Sequence, residues 1–105
     1  MTEANSGNLV RAPTPWARVH IWVRGRVQGV GFRAFVQQSG ALFGLAGWVR
    51  NVDDDRVETV AEGRRDVIER FVQAVKTGPR AARVDEARVE WETPQGDLKQ
   101  FGIRF

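Results

Sequence analysis

Between Arg18 and Phe43 the apolar residues change from strand spacing to helical spacing, and the change is made across a loop holding three glycines. Val19, Ile21 and Val23 alternate with polar neighbours, which predicts a half-buried strand over 18–24. From 32 to about 43, Phe32, Phe35, Val36, Leu42 and Phe43 share one helical face. Gly40 weakens that helix, and Gly44 suits its C-terminal cap. Residues 45–52 and 56–62 read as two further strands. Asp53, Asp54 and Asp55 make a tight turn between them, since Asp tolerates unusual backbone angles. Gly63 opens a second helix over 64–77, with Val67, Ile68, Phe71, Val72 and Val75 on one stripe, and Gly78-Pro79 stops it. A fourth strand follows over 84–92, with Val89 and Trp91 as inward positions. Residues 93–97 form a loop, and 101–105 a short terminal strand.

The order strand, helix, strand, strand, helix, strand is that of two split β-α-β units. It predicts an α+β, ferredoxin-like two-layer sandwich, with an antiparallel sheet carrying both helices on one face and a short extra C-terminal strand. At 105 residues one domain is expected, over 16–105, with residues 1–15 as a loose polar leader that lacks the basic and apolar regions of a signal peptide. No run approaches the ~20 apolar residues that would span a bilayer, so a cytoplasmic protein with no membrane contact is expected. There is no cysteine and one histidine, His20, which leaves no thiolate chemistry and no metal-ligand spacing. The net charge of +3, with 14 arginines against Lys76 and Lys99, points to anionic partners. The arginines are spread along the chain, so the excess does not mark a binding tail.

The chemically informative stretch is 25–33. Gly25, Gly29 and Gly31 let the backbone curl, and the loop delivers the chain to a helix N-terminus, where unpaired amides and about half a positive charge favour an anion. Arg33 stands in the first helical turn, where a cation opposes the helix dipole unless a bound anion reverses the balance. The loop lacks the Gly-Lys-Ser/Thr ending of a Walker motif, and its glycines are wrongly spaced for the dinucleotide fingerprint.

The segment Val23-Arg-Gly-Arg-Val-Gln-Gly-Val-Gly-Phe-Arg33 resembles the first signature of the acylphosphatase family, and Gly47-Trp-Val-Arg-Asn51 with Val57 and Gly63 resembles the second. The resemblance spans residues 17–105. It departs at Asp55, where the family usually has the glycine of the hairpin turn. The resemblance implies hydrolysis of a carboxylic–phosphoric mixed anhydride to carboxylate and phosphate, without metal or cofactor. It makes Arg33 the phosphate-binding arginine and the amides of Gln28, Gly29, Val30, Gly31, Phe32 and Arg33 the cradle. Asn51 orients the attacking water. The partner is then a small acyl phosphate, inorganic phosphate or sulfate can fill the same site, and the protein is a monomer that binds no nucleic acid.

The remaining polar and aromatic residues read more plainly. His20 is a surface or helix-covered histidine, Trp22, Trp48 and Trp91 pack, and Arg24, Arg26 and Arg50 flank the site as solvated residues that could raise its potential. The carboxylate of Phe105 could approach Arg33. Three rival readings stand beside the hydrolase. An RNA-recognition sheet would need exposed aromatics in the third strand, which instead carries Glu58 and Glu62. A domain of this kind also occurs in hydrogenase-maturation carbamoyltransferases, which need further domains. A non-catalytic anion binder is separated from an enzyme by activity.

Overall fold

The computed structural model describes residues 15–105, so the expected leader, Pro15 apart, lies outside the described residues. Strand β1 (Trp16–Arg26) leads through the glycine loop to helix α1 (Phe32–Leu42), and β2 (Ala46–Val52) and β3 (Arg56–Arg64) form a hairpin. Helix α2 (Arg65–Thr77), β4 (Arg83–Glu92) and the two-residue β5 (Gly102–Ile103) complete the chain. The sheet order is β4-β1-β3-β2-β5. Four strands pair antiparallel, as expected of the ferredoxin-like sandwich. β5 instead runs parallel to β2, which makes the sheet mixed, and it is shorter than the 101–105 expected.

The alternation in β1 sends Val19, Ile21 and Val23 to one face, where they meet Phe32 and Val36 of α1 and Ile68, Phe71, Val72 and Val75 of α2. Val49, Val57 and Ala61 supply the same face from β2 and β3. Gly63 does not open the second helix: it pairs with Ala17 inside β3, where a Cβ would stand 2.4 Å from Leu45 Cδ2. Trp91 points to the helix side as expected, opposite Val19, but at the sheet edge it remains 40% exposed and packs under the Arg65 guanidinium.

Among the described residues no helix covers the other face. Glu58 and Glu62 of β3 lie on it, 6% and 3% exposed, and side chains from neighbouring strands close over them. His20 Nε2 meets Glu58 Oε2 at 2.5 Å and Arg50 Nε donates to Glu58 Oε1 at 2.7 Å. Arg18 donates to Glu62 at 2.8 Å, and the N–H groups of Gln95 and Gly96 each donate to it at 3.0 Å. His20 stacks on Trp22 with ring centroids 3.8 Å apart, and Arg50 and Arg104 lie over Trp48. Burial pushes the Glu62 carboxyl up, but the Gln95 and Gly96 amides and the Arg18 guanidinium outweigh it and hold the group below the usual carboxylate range.

Two predictions follow from this packing. At Gly47 a Cβ would stand 2.1 Å from the Val60 carbonyl oxygen and 2.7 Å from the Phe101 ring. Gly47→Ala should lower unfolding free energy by about 1–3 kcal/mol in urea titration, the ordinary cost of overpacking. Because Glu62 is more acidic folded than unfolded, its contribution is full above its unfolded value near ~4.3 and is lost as pH falls through the lower folded value. Urea midpoints between pH 6 and pH 3 should therefore drop less steeply in Glu62→Gln than in the native chain.

Candidate active site

Strands β1 and β2 both run antiparallel to β3, so they point the same way and finish at the same end of the sheet. Residues 27–31 follow β1 there, and Asn51 stands near the end of β2, two residues beyond the buried Val49 and on the same helix-covered face. A pocket of about 220 Å³ opens between them. Gln28, Gly29, Gly31, Phe32, Arg33 and Asn51 line it, so the structure brings together six of the seven residues expected from sequence. Val30 is the exception, because its side chain packs against the core and does not line the pocket. Val27, Ala34, Ile103 and Phe105 also line it.

The backbone ahead of α1 is set by two left-handed glycines, Gly29 at φ 73° and Gly31 at φ 77°. Gly31 is the N-cap residue, and no side chain caps the helix. The first cap bond is Phe35 N–H to the Gly31 carbonyl, at 3.0 Å. None of the N–H groups from Gln28 to Ala34 donates to a backbone carbonyl among the described residues. The two helices differ here. Both first turns hold an arginine, Arg65 in α2 and Arg33 in α1, but α2 also carries Asp66, whose carboxylate accepts from Val67 N–H at 2.9 Å, whereas the first turn of α1 has no acid. Free amides and an arginine are what an oxyanion needs at a helix start.

Arg33 is half-buried and forms no ion pair among the described residues, which sets it apart from Arg18, Arg24, Arg50, Arg56, Arg64, Arg65, Arg83 and Arg88. Its contact with Phe105 is made through the ring, whose centroid lies 4.9 Å from the guanidinium carbon. Asn51 Oδ1 is buried without a hydrogen-bond partner, an arrangement that costs about 1–3 kcal/mol and calls for a reason. Gln28 contributes more than a backbone amide: its Nε2 donates to the carbonyls of Asp53 and Arg56, each at 2.9 Å.

The flanking arginines Arg24, Arg26 and Arg50 are exposed, as expected. Arg24 is engaged by Glu86 and Arg50 by Glu58, both on the sheet face opposite the pocket, so neither adds a free charge to it. His20 is on that opposite face too. In the hairpin, Asp53 is the residue at positive φ (56°), and Asp55 is not, so aspartate at 55 carries no left-handed strain. Among the described residues no group of three His, Cys, Asp or Glu is arranged to hold a metal ion, and no helix is long and apolar enough to cross a membrane.

The family model described as Acylphosphatase matches residues 19–103. The chain belongs to the acylphosphatase family. It is 49% identical over 87 residues to an acylphosphatase of Trichormus variabilis, covering 83% of this chain and 85% of that one. The crystal structure of acylphosphatase from Bacillus subtilis superimposes with a TM-score of 0.80 at 43% identity, over 85% of this chain and 99% of the other. A crystal structure of full-length HypF in its phosphate- and nucleotide-bound form matches at TM-score 0.78 and 31% identity, over 91% of this chain and 12% of HypF. The family's two sequence signatures thus fall on the two segments that border the pocket.

A Cβ built at Gly31 meets nothing within 4 Å, so only its backbone angle forbids a side chain. Gly31→Ala should cost roughly 1–2 kcal/mol of stability from left-handed strain alone. Chemical synthesis with D-alanine at 31, whose preferred angles are mirrored, should restore most of the loss in thermal unfolding.

Proposed function

We propose that this acylphosphatase hydrolyses acyl phosphates with Arg33 and the amides of residues 28–33 holding the phosphate and Asn51 placing the water. The reading is supported above all by one observation: a guanidinium and a run of amides unpaired among the described residues, and an orphaned amide oxygen, border a single pocket. An acyl phosphate carries a good leaving group, so the catalytic need is charge neutralisation and alignment. The guanidinium and amides donate to the non-bridging oxygens, whose charge they stabilise as the water approaches phosphorus. Asn51 Oδ1 accepts a hydrogen bond from that water, which turns an oxygen lone pair toward phosphorus. The new P–O bond forms from the water, the P–O bond to the acyl group breaks, and its electron pair leaves on the carboxylate.

Among the described residues that line the pocket no side chain is a carboxylate or an imidazole, and His20 lies across the sheet between two carboxylates. A phosphate oxygen of the substrate takes the water's proton. The apolar side chains of Val27, Ile103 and Phe105 border the pocket and suit the acyl end of the substrate. The enzyme works as a cytoplasmic monomer without metal or cofactor, and inorganic phosphate competes for the site.

Benzoyl phosphate hydrolysis tests the assignment. Arg33→Ala should lose about 10²–10³-fold in kcat and also bind inorganic phosphate more weakly. Asn51→Ala should lose about 10²-fold in kcat while phosphate inhibition persists. The pH–rate profile should show no enzyme base, and His20→Gln should leave it unchanged in shape. Unchanged rates in both the Arg33 and Asn51 variants would overturn the reading.

A further inference from the structure

We propose that the Gln28 side chain is a positioning residue that fixes Asn51 relative to the anion loop, an inference that rests on the roles given to Arg33 and Asn51 above. The two halves of the site come from strands that never touch, because β3 lies between β1 and β2. Something must hold the loop after β1 and the turn after β2 at a constant distance. One link is made by the backbone, Gly25 N–H to the Asp55 carbonyl at 3.0 Å. The other is the Gln28 carboxamide. Its Nε2 sits 2.9 Å from the carbonyl oxygens of both Asp53 and Arg56, with the Val52 oxygen at 3.4 Å. Three converging acceptors demand a donor, and the two hydrogens of one NH2 group satisfy the two short contacts.

These carbonyls belong to the turn that begins directly after Asn51. Asp53 within it is at φ 56°, a left-handed conformation that Asp tolerates better than most side chains but still at a cost. Asn51 cannot fix its own amide oxygen, since Oδ1 has no hydrogen-bond partner. Its placement is therefore inherited from the backbone of 51–53, and Gln28 holds that backbone from the loop that carries Arg33. Removing the side chain leaves the backbone amide of residue 28 in the cradle. The loss falls on water placement and spares phosphate affinity.

The test is steady-state hydrolysis of benzoyl phosphate, with inorganic phosphate as competitive inhibitor, for Gln28→Ala, Gln28→Glu and Gln28→Lys. Gln28→Ala should lose about tenfold or more in kcat, with the phosphate inhibition constant within about twofold of native. Gln28→Glu, which turns a second acceptor toward three carbonyls, should be worse than Gln28→Ala, and Gln28→Lys, which restores a donor, should recover part of the rate. Introduced into Asn51→Ala, Gln28→Ala should cause no further fall in kcat, because the group it positions is gone. Equal losses in the two backgrounds, equal rates for the Glu and Lys variants, or weaker phosphate binding at full kcat would each overturn the proposal. If Asn51→Ala itself keeps the native rate, the underlying reading of Asn51 fails and the proposal with it. A rate that falls in Asn51→Ala but not in Gln28→Ala refutes the proposal alone.

Discussion

The arrangement depends on β3 being paired on both sides. Val57 stands opposite Val23 of β1 and opposite Asn51 of β2, so one strand sets the level of both halves of the site. With neighbouring strands about 4.8 Å apart, two pairings put Val23 and Asn51 roughly 10 Å from each other across the sheet. That gap is bridged by the loop after β1, which crosses the end of β3 and starts α1 above the helix-covered face. A one-residue slip between β2 and β3 would turn Asn51 to the opposite face, and one between β1 and β3 would turn the core valines of the strand that feeds the loop.

Register is protected from both sides of the sheet. On the helix side, the valines of β1, β2 and β3 interlock with Phe32, Ile68 and Phe71. On the open side, the two buried glutamates of β3 accept from arginine, histidine and backbone donors that a slipped strand could not supply. Buried ion pairs are weak sources of net stability, yet losing a partner is costly, which makes them better at selecting one register than at strengthening it. The same ladder covers a face that a two-layer fold would otherwise leave open. On that face the guanidinium groups of Arg88, Arg50 and Arg104 lie over Trp22 and Trp48.

Much of this could be read from sequence because single positions carry unambiguous local physics. The alternation at Val19, Ile21 and Val23 has one structural meaning, and the stripe of α2 likewise. The glycine loop and the out-of-place Arg33 point to an anion site, and a pocket opens beside them. The failures have a common cause: they depend on what the neighbouring strand contributes. Gly63 looks like a helix start in its own segment, but the close approach of Leu45 requires it in a strand. The direction of β5 follows from which edge was free, not from its two residues. The side chain of Gln28 could not be read because its acceptors are backbone carbonyls 24 to 28 residues away, which leave no trace in composition or periodicity.

The site concentrates groups that local rules disfavour. A helix start without an acid or a side-chain cap, a cation against its dipole, a buried amide oxygen without a partner and an aspartate at positive φ all border one region. Each alone would cost on the order of 1 kcal/mol; α2, which also lacks a side-chain cap and begins at Arg65, has Asp66 in its first turn to offset the cation, and α1 has no such acid. An anion at the loop would satisfy the first two, since amides and guanidinium would then donate to one acceptor group. A water held between that anion and Asn51 would satisfy the third. The fourth, the aspartate angle, stays as the geometric cost of bringing the turn under Gln28. On the proposed roles, the strain divides between groups that a substrate would relieve and one that the scaffold must carry, which is what distinguishes a preorganised site from an imperfectly packed one.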